Sequence, residues 1–176
     1  PKTYEINAFK DSTILRTRYQ CPTCPSSDCN QCTLGGESSL QVVSGDYTVK
    51  QAIIGFTLPS ETIGRPDRLD KCVLQLPKLT SNVVDRVTLP IYAASSTFWD
   101  EYSVNANNAP SDTDYIGSVT IMSDGNPPPV DLTNACKLAS AKGAGFSIII
   151  NPALGRSFEF PSKEAGKPSK LSVTIH

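Results

Sequence analysis

Short apolar stretches broken at close intervals by Pro, Gly, Asn and Asp run through the whole 176-residue chain, and almost none is long enough to be anything but a strand. Residues 39–45, 51–59, 71–79, 87–94, 115–121 and 145–151 are rich in Val, Ile, Leu, Thr and aromatics. In 71–79, Cys72, Leu74, Leu76 and Lys78 alternate with Val73, Gln75 and Pro77, the period of two of a half-buried strand, and Pro77 marks an edge or an exit. Residues 145–151 are apolar throughout and read as a central strand. Residues 4–15 read as one strand bent or bulged near Asp11, where the phase of the apolar positions changes, and 62–70 read as a loop. Only 130–142 has helical spacing: Leu132, Ala135, Cys136 and Ala139 share a face, Asp131 or Thr133 caps it and Gly143 ends it. About nine short strands and one short helix predict an all-β fold, a jelly-roll β-sandwich of two antiparallel sheets. One domain over residues 1–176 is expected, interrupted by a cysteine-rich loop at about 20–36.

The six cysteines place the chain in an oxidising compartment. Cys21, Cys24, Cys29 and Cys32 have the spacing C-x2-C-x4-C-x2-C. A tetrathiolate zinc site uses paired C-x2-C knuckles, but with a far longer loop between them. The reading adopted is two local disulfides pinning a surface excursion, with zinc as the lesser alternative. Three connectivities are open, the nested one (Cys21 with Cys32, Cys24 with Cys29) among them. Cys72 and Cys136 are then read as a staple closing a loop of about 65 residues, worth about 3–4 kcal/mol in the chain-entropy account, with two buried free thiols as the alternative.

Several function classes are excluded or weakened. Sixteen Lys and Arg balance 17 Asp and Glu without a basic run, so neither nucleic acid nor an anionic membrane is an expected partner. No apolar stretch approaches the length of a membrane span. Pro1 opens the chain without a signal-like segment, which fits a processed or trimmed chain, so export is inferred from the cysteines and not from this end. The one His is residue 176, which removes a Ser- or Cys-His dyad and the H-E-x-x-H motif. Glycoside hydrolysis needs only two carboxylates, but Asp100 and Glu101 are adjacent and on a strand point to opposite faces. Asp112 and Asp114 read as solvated turn acids, and Lys163 with Glu164 as a surface ion pair worth under about 1 kcal/mol.

The single tryptophan lies in Phe98-Trp99-Asp100-Glu101-Tyr102-Ser103-Val104, followed by Asn105-Ala106-Asn107-Asn108-Ala109-Pro110. Trp99 is expected to anchor an inner face from a strand-like segment, and the Asn-rich run to turn. This W-D-E-x-S-V-x-x-N-N-A-P pattern, with Ile116-Gly117-Ser118 after it, resembles the secreted domains named after the DNRLRE motif, some of which are grouped as carbohydrate-binding module family 96. Asp11-Ser12-Thr13-Ile14, the strand at 51–59, Val130-Asp131-Leu132-Thr133 before the helix, and the C-terminal order Phe158, Ser162, Lys163, Glu164, Pro168, Leu171, Val173 are similar to the family pattern in turn. Thr57 stands where the family prefers Asp, and the cysteine loop replaces a short glycine-rich one.

The resemblance implies a jelly roll that is secreted, non-catalytic and carbohydrate-binding, with a polysaccharide or cell-surface glycan as partner and association with a cell wall or cell surface. A sandwich binds sugars through aromatic rings and hydroxyl-bonding amides; the candidates are Tyr92, Tyr102 and Tyr115 with Asn105, Asn107 and Asn108. Calcium, a structural ion that prefers clustered oxygens, is the cofactor considered, at Asp112 and Asp114 beside the Asn run or at Asp11 near the C-terminal strand. The alternatives are an adhesion domain that binds a surface protein through the cysteine loop, since pinned loops on rigid scaffolds carry recognition, and, third, a polysaccharide hydrolase or lyase using Asp112, Asp114 or Glu164.

Overall fold

A computed structural model describes residues 1–176. In chain order its strands are β1 (Lys2–Asn7), β2 (Lys10–Thr17), β3 (Ser39–Gly45), β4 (Thr48–Thr57), β5 (Leu69–Gln75), β6 (Val87–Ala94), β7 (Asp112–Ile121), β8 (Val130–Asp131), β9 (Gly145–Ile150), β10 (Ser157–Pro161) and β11 (Lys170–Ile175), with the single α-helix α1 (Thr133–Lys142) between β8 and β9. The smaller sheet runs β1-β11-β5-β8; the larger runs β10-β3-β4-β9-β6-β7, and β2 joins it along β4. Every pairing is antiparallel, as an all-β sandwich of two sheets requires.

Alternation along the strands makes the core between the sheets. Ala52, Ile54 and Phe56 on β4, with Phe146, Ile148 and Ile150 on β9, face Cys72 and Leu74 on β5 and Leu171, Val173 and Ile175 on β11. The Cys72–Cys136 disulfide ties α1 to β5 inside this layer, and Thr133 reinforces the junction by accepting the Cys72 N–H at 3.0 Å. Leu132 holds the N-cap position without a side-chain bond, and Asp131 before it accepts the Thr133 N–H at 2.9 Å, occupying one free donor of the first turn. The tight β3–β4 hairpin turns on Asp46 and Tyr47, both in the left-handed region (φ 51° and 58°), the conformation a two-residue turn needs to match strand twist.

Two segments differ from the sequence reading. Residues 4–15 are not one bent strand: the chain breaks at Ala8-Phe9, three residues before the phase change, and β1 and β2 enter different sheets. The crossing is held by the Ala8 N–H to the Ser169 carbonyl (2.8 Å) and the Phe9 N–H to Gly55 (3.0 Å), so one segment seals both layers. Residues 98–104 form turns rather than a strand, and Trp99 does not enter the core between the sheets. It is buried on the opposite, outward side of the larger sheet.

Candidate functional site

The outer face of the larger sheet is divided into two halves. On β2, β4 and β9, Ile14, Ile53 and Ile149 point outward, the strand period forcing them away from the core that their neighbours fill. The Trp99 loop lies over them: Trp99 and Val104 complete this second apolar cluster, with Ala94, Ala106 and Ala109 packed at its margin. The indole N–H donates to Ser147 Oγ at 3.0 Å. Lys10 threads beneath the loop, its ammonium 4.2 Å from the Trp99 ring centroid and bonded to the Thr97 and Trp99 carbonyls at 2.8 and 2.6 Å. Burial holds that ammonium below its ordinary value, against the opposing pull of Asp100 and Glu101. Gly55 makes the close approach possible, because a β-carbon there would come within 2.8 Å of the Lys10 side chain and 3.2 Å of the indole.

A buried charge cluster locks the loop to the edge of the sheet. Glu101 Oε1 accepts the Asp11 N–H at 2.9 Å, and its other oxygen lies 3.1 Å from the Lys163 ammonium. Asp11 Oδ2 accepts the Lys163 N–H at 2.9 Å, while Asp11 Oδ1 is buried without a partner. Burial raises the Asp11 carboxyl to about 6, the Lys163 N–H works against the shift and the Glu101 charge adds to it. The neighbouring Glu164 and Glu101 hold the Lys163 ammonium above its ordinary value. The pair expected to stand alone at the surface, Lys163 and Glu164, is therefore part of a network that reaches the interior.

The other half of the outer face is uncovered and polar. Each outward isoleucine is followed, two positions further along the same side of the sheet, by a hydrogen-bonding residue: Arg16 after Ile14, Gln51 before Ile53, Asn151 after Ile149. These side chains bond to one another in a row. Arg16 Nε donates to Gln51 Oε1 at 3.3 Å, Gln51 Nε2 to Asn151 Oδ1 at 2.7 Å, and Asn151 Nδ2 to Asp112 Oδ2 at 2.6 Å. Arg16 also reaches the Ala106 carbonyl at 3.1 Å, which joins the row to the rim of the Trp99 loop. Tyr92, in register with Ile149 and so on the same face, meets Tyr115 edge to face with ring centroids 5.8 Å apart, and Tyr115 is 61% exposed.

This chain matches the sequence model of carbohydrate-binding module family 96 over residues 26–175. The chain belongs to carbohydrate-binding module family 96. A relative, an uncharacterized secreted protein of Arthroderma benhamiae, is 34% identical over 164 residues, which cover 93% of this chain and 81% of the relative. No helix of the family 96 chain is long and apolar enough to cross a membrane.

In this family 96 chain the residues singled out from sequence go to different places. Tyr92 and Tyr115 come together, with Asp112 bonded into the row on the same face. Asp112 and Asp114 belong to β7, opposite Ala94 and Ala93, not to a turn. Tyr102 is exposed elsewhere and donates to Glu164 at 3.0 Å. Asn105, Asn107 and Asn108 close on their own loop: Asn105 Oδ1 accepts the Asn107 and Asn108 N–H groups and Asn108 Oδ1 accepts that of Asn105. The metal candidates are dispersed, Asp11 inside the charge cluster and Asp112 and Asp114 on β7; no three His, Cys, Asp or Glu side chains converge. In the cysteine loop, Cys21 pairs with Cys29 and Cys24 with Cys32, an interleaved connectivity, so the sulfurs a zinc site would use are joined to each other. Arg16, Gln51 and Asn151 were not singled out. The signal for them is present in the alternation itself, because each lies two positions from an isoleucine, but finding it requires knowing that those isoleucines face outward.

Proposed function

We propose that this chain is a non-catalytic, extracellular carbohydrate-binding module. The observation that carries the reading is the exposed Tyr115 ring on the outer sheet face, braced edge to face by the half-buried Tyr92, within a family defined by carbohydrate binding. Exposed phenol rings pack against the apolar faces of pyranose sugars, and a rigid sheet holds them at little entropic cost. The secreted description of the Arthroderma relative and three disulfides support an extracellular setting, with a polysaccharide at a cell wall or cell surface as the partner. Of the carboxylates considered for hydrolysis, Asp112 is bonded to Asn151 and Glu164 to Lys163 and Tyr102, on separate parts of the surface, which favours binding without turnover.

The test is a polysaccharide array on the oxidised protein, run with calcium and again with a chelator, with reducing-end release measured in parallel. Saturable binding without product is the expected result, and loss on chelation places an ion in or beside the site. Release of reducing ends that disappears in Asp112→Asn or Glu164→Gln overturns the non-catalytic reading.

A second reading, attachment to a protein through the cysteine loop, draws on one cluster. Arg18 stacks on Tyr47 with its guanidinium carbon 3.4 Å from the ring centroid, and Tyr19 meets Tyr47 edge to face at 6.5 Å. Both tyrosines are exposed beside the disulfide-pinned loop, and Tyr and Arg are the residues on which protein interfaces concentrate their energy. A blank polysaccharide array together with cell attachment lost in Tyr47→Ala favours this reading.

A further inference from the structure

We propose that the row Arg16–Gln51–Asn151–Asp112, with Tyr115 beside it, is the path of a neutral polysaccharide chain across the outer face of the larger sheet. The inference rests on the carbohydrate-binding reading and adds the surface and the ligand class.

The row runs from β2 across β4 to Asn151, just past the end of β9, and on to Asp112 at the start of β7, with β6 lying between β9 and β7 in the sheet. Consecutive members are bonded at 2.6–3.3 Å, so the row is a continuous line of polar groups that can follow an extended sugar chain. Each member is already oriented by its neighbour, which removes rotamer freedom before a ligand arrives. Each also keeps unspent capacity: a second N–H on each amide nitrogen, free guanidinium N–H groups on Arg16, and a second carboxylate oxygen on Asp112. Alternating donors and acceptors match hydroxyl groups, which do both. Tyr115 supplies the apolar contact at the Asp112 end, braced by Tyr92.

The ligand class follows from the charge balance. One guanidinium and one carboxylate stand at opposite ends with two neutral amides between them, so the row has no net field to concentrate a polyanion. A surface suited to an acidic chain exists elsewhere: a cleft of about 450 Å³ lined by Asn7, Gln75, Lys167 and Lys170, with two lysines and no acid or aromatic ring. The outer face is preferred because it alone combines a stacking ring with a connected row of hydrogen-bonding side chains.

Isothermal titration of the oxidised protein against xylan, galactomannan, mixed-linkage β-glucan and polygalacturonate tests this, using Asn151→Ala, Gln51→Ala, Tyr115→Ala and a Lys167→Glu/Lys170→Glu pair. All five positions are at least partly exposed, and unchanged thermal unfolding confirms that each variant folds. Binding to at least one neutral polysaccharide is expected, weakened about tenfold by Asn151→Ala or Tyr115→Ala, the equivalent of about one lost hydrogen bond or ring contact, and unchanged by the lysine pair. Amide resonances of Arg16, Gln51, Asn151 and Tyr115 in the native protein shift on titration with the same polysaccharide. Neutral-glycan binding that survives all three outer-face substitutions overturns the inference and leaves the carbohydrate reading standing. Binding confined to polygalacturonate and lost in the lysine pair overturns the ligand class. No binding to any of the four overturns the inference together with the reading beneath it.

Discussion

Asn in place of Asp11 isolates a carboxyl that burial holds well above its ordinary value. In the folded protein Asp11 titrates at about 6, against 3.8 for an unperturbed aspartate. The difference of roughly two pKa units corresponds to about 3 kcal/mol, at 1.36 kcal/mol per unit. The sign follows from proton counting: between the two values the folded state holds a proton that the unfolded chain has released. Asp11 therefore makes the protein less stable as pH rises from 4 through 6, with the full cost present above 6 and absent below 4. Other acids act oppositely. Hydrogen bonding to Tyr4 lowers Glu61, and Lys163 lowers Glu164, so their contributions are lost on acidification and mask the Asp11 slope in the wild type alone. The informative quantity is the stability of Asp11→Asn minus that of wild type. The amide keeps an oxygen for the Lys163 N–H and carries no charge beside Glu101. Urea unfolding at steps from pH 4 to 7, followed by the fluorescence of Trp99, the only tryptophan, should show this difference rising with pH by about 2–3 kcal/mol. A difference flat to within about 0.5 kcal/mol, or one that falls as pH rises, refutes the argument that Asp11 is buried at a cost.

Three further outcomes test the parts that hold the outer face together. Trp99→Ala removes the lid residue over Ile14, Ile53 and Ile149 and should cost about 3–5 kcal/mol in urea unfolding, with faster hydrogen exchange confined to the 98–110 loop and the strands beneath it. Lys163→Met leaves Glu101 buried beside Asp11 without a cation, and a loss of about 3 kcal/mol or more at pH 7 is expected, far above the value of an exposed pair. A Cys72→Ala/Cys136→Ala double substitution opens a loop joined across 64 positions, and chain entropy puts the loss at about 4 kcal/mol by equilibrium unfolding; a loss under about 1 kcal/mol contradicts that account.

The strands were legible where one face is buried and the period of two is clean. Val87–Ala94 and Ser39–Gly45 are bounded as the pattern implies, 145–150 is central between β4 and β6, and Asp131 with Thr133 opens the helix. The two-residue β8 and the division of 4–15 were not legible, because both depend on which sheet a strand joins, a tertiary choice that local alternation does not encode. The Trp99 stretch shows the same limit at the candidate site. A lone tryptophan among apolar residues says that it is buried; it does not say on which side of a sheet. The larger sheet carries apolar side chains on both faces of β4 and β9, which is why Gln51-Ala52-Ile53-Ile54 and Ile148-Ile149-Ile150 lose their alternation. An antiparallel sheet with a second apolar face must be covered, and the Trp99 loop covers only as far as the isoleucines extend. Where they give way to Arg16, Gln51 and Asn151 the cover stops, and Tyr115 is left in solvent at the boundary against a half-buried Tyr92. The limits of the site are thus set by the length of the loop that seals the apolar half. Shortening or displacing that loop should expose Ile14, Ile53 and Ile149 and produce aggregation, without enlarging the polar half of the face.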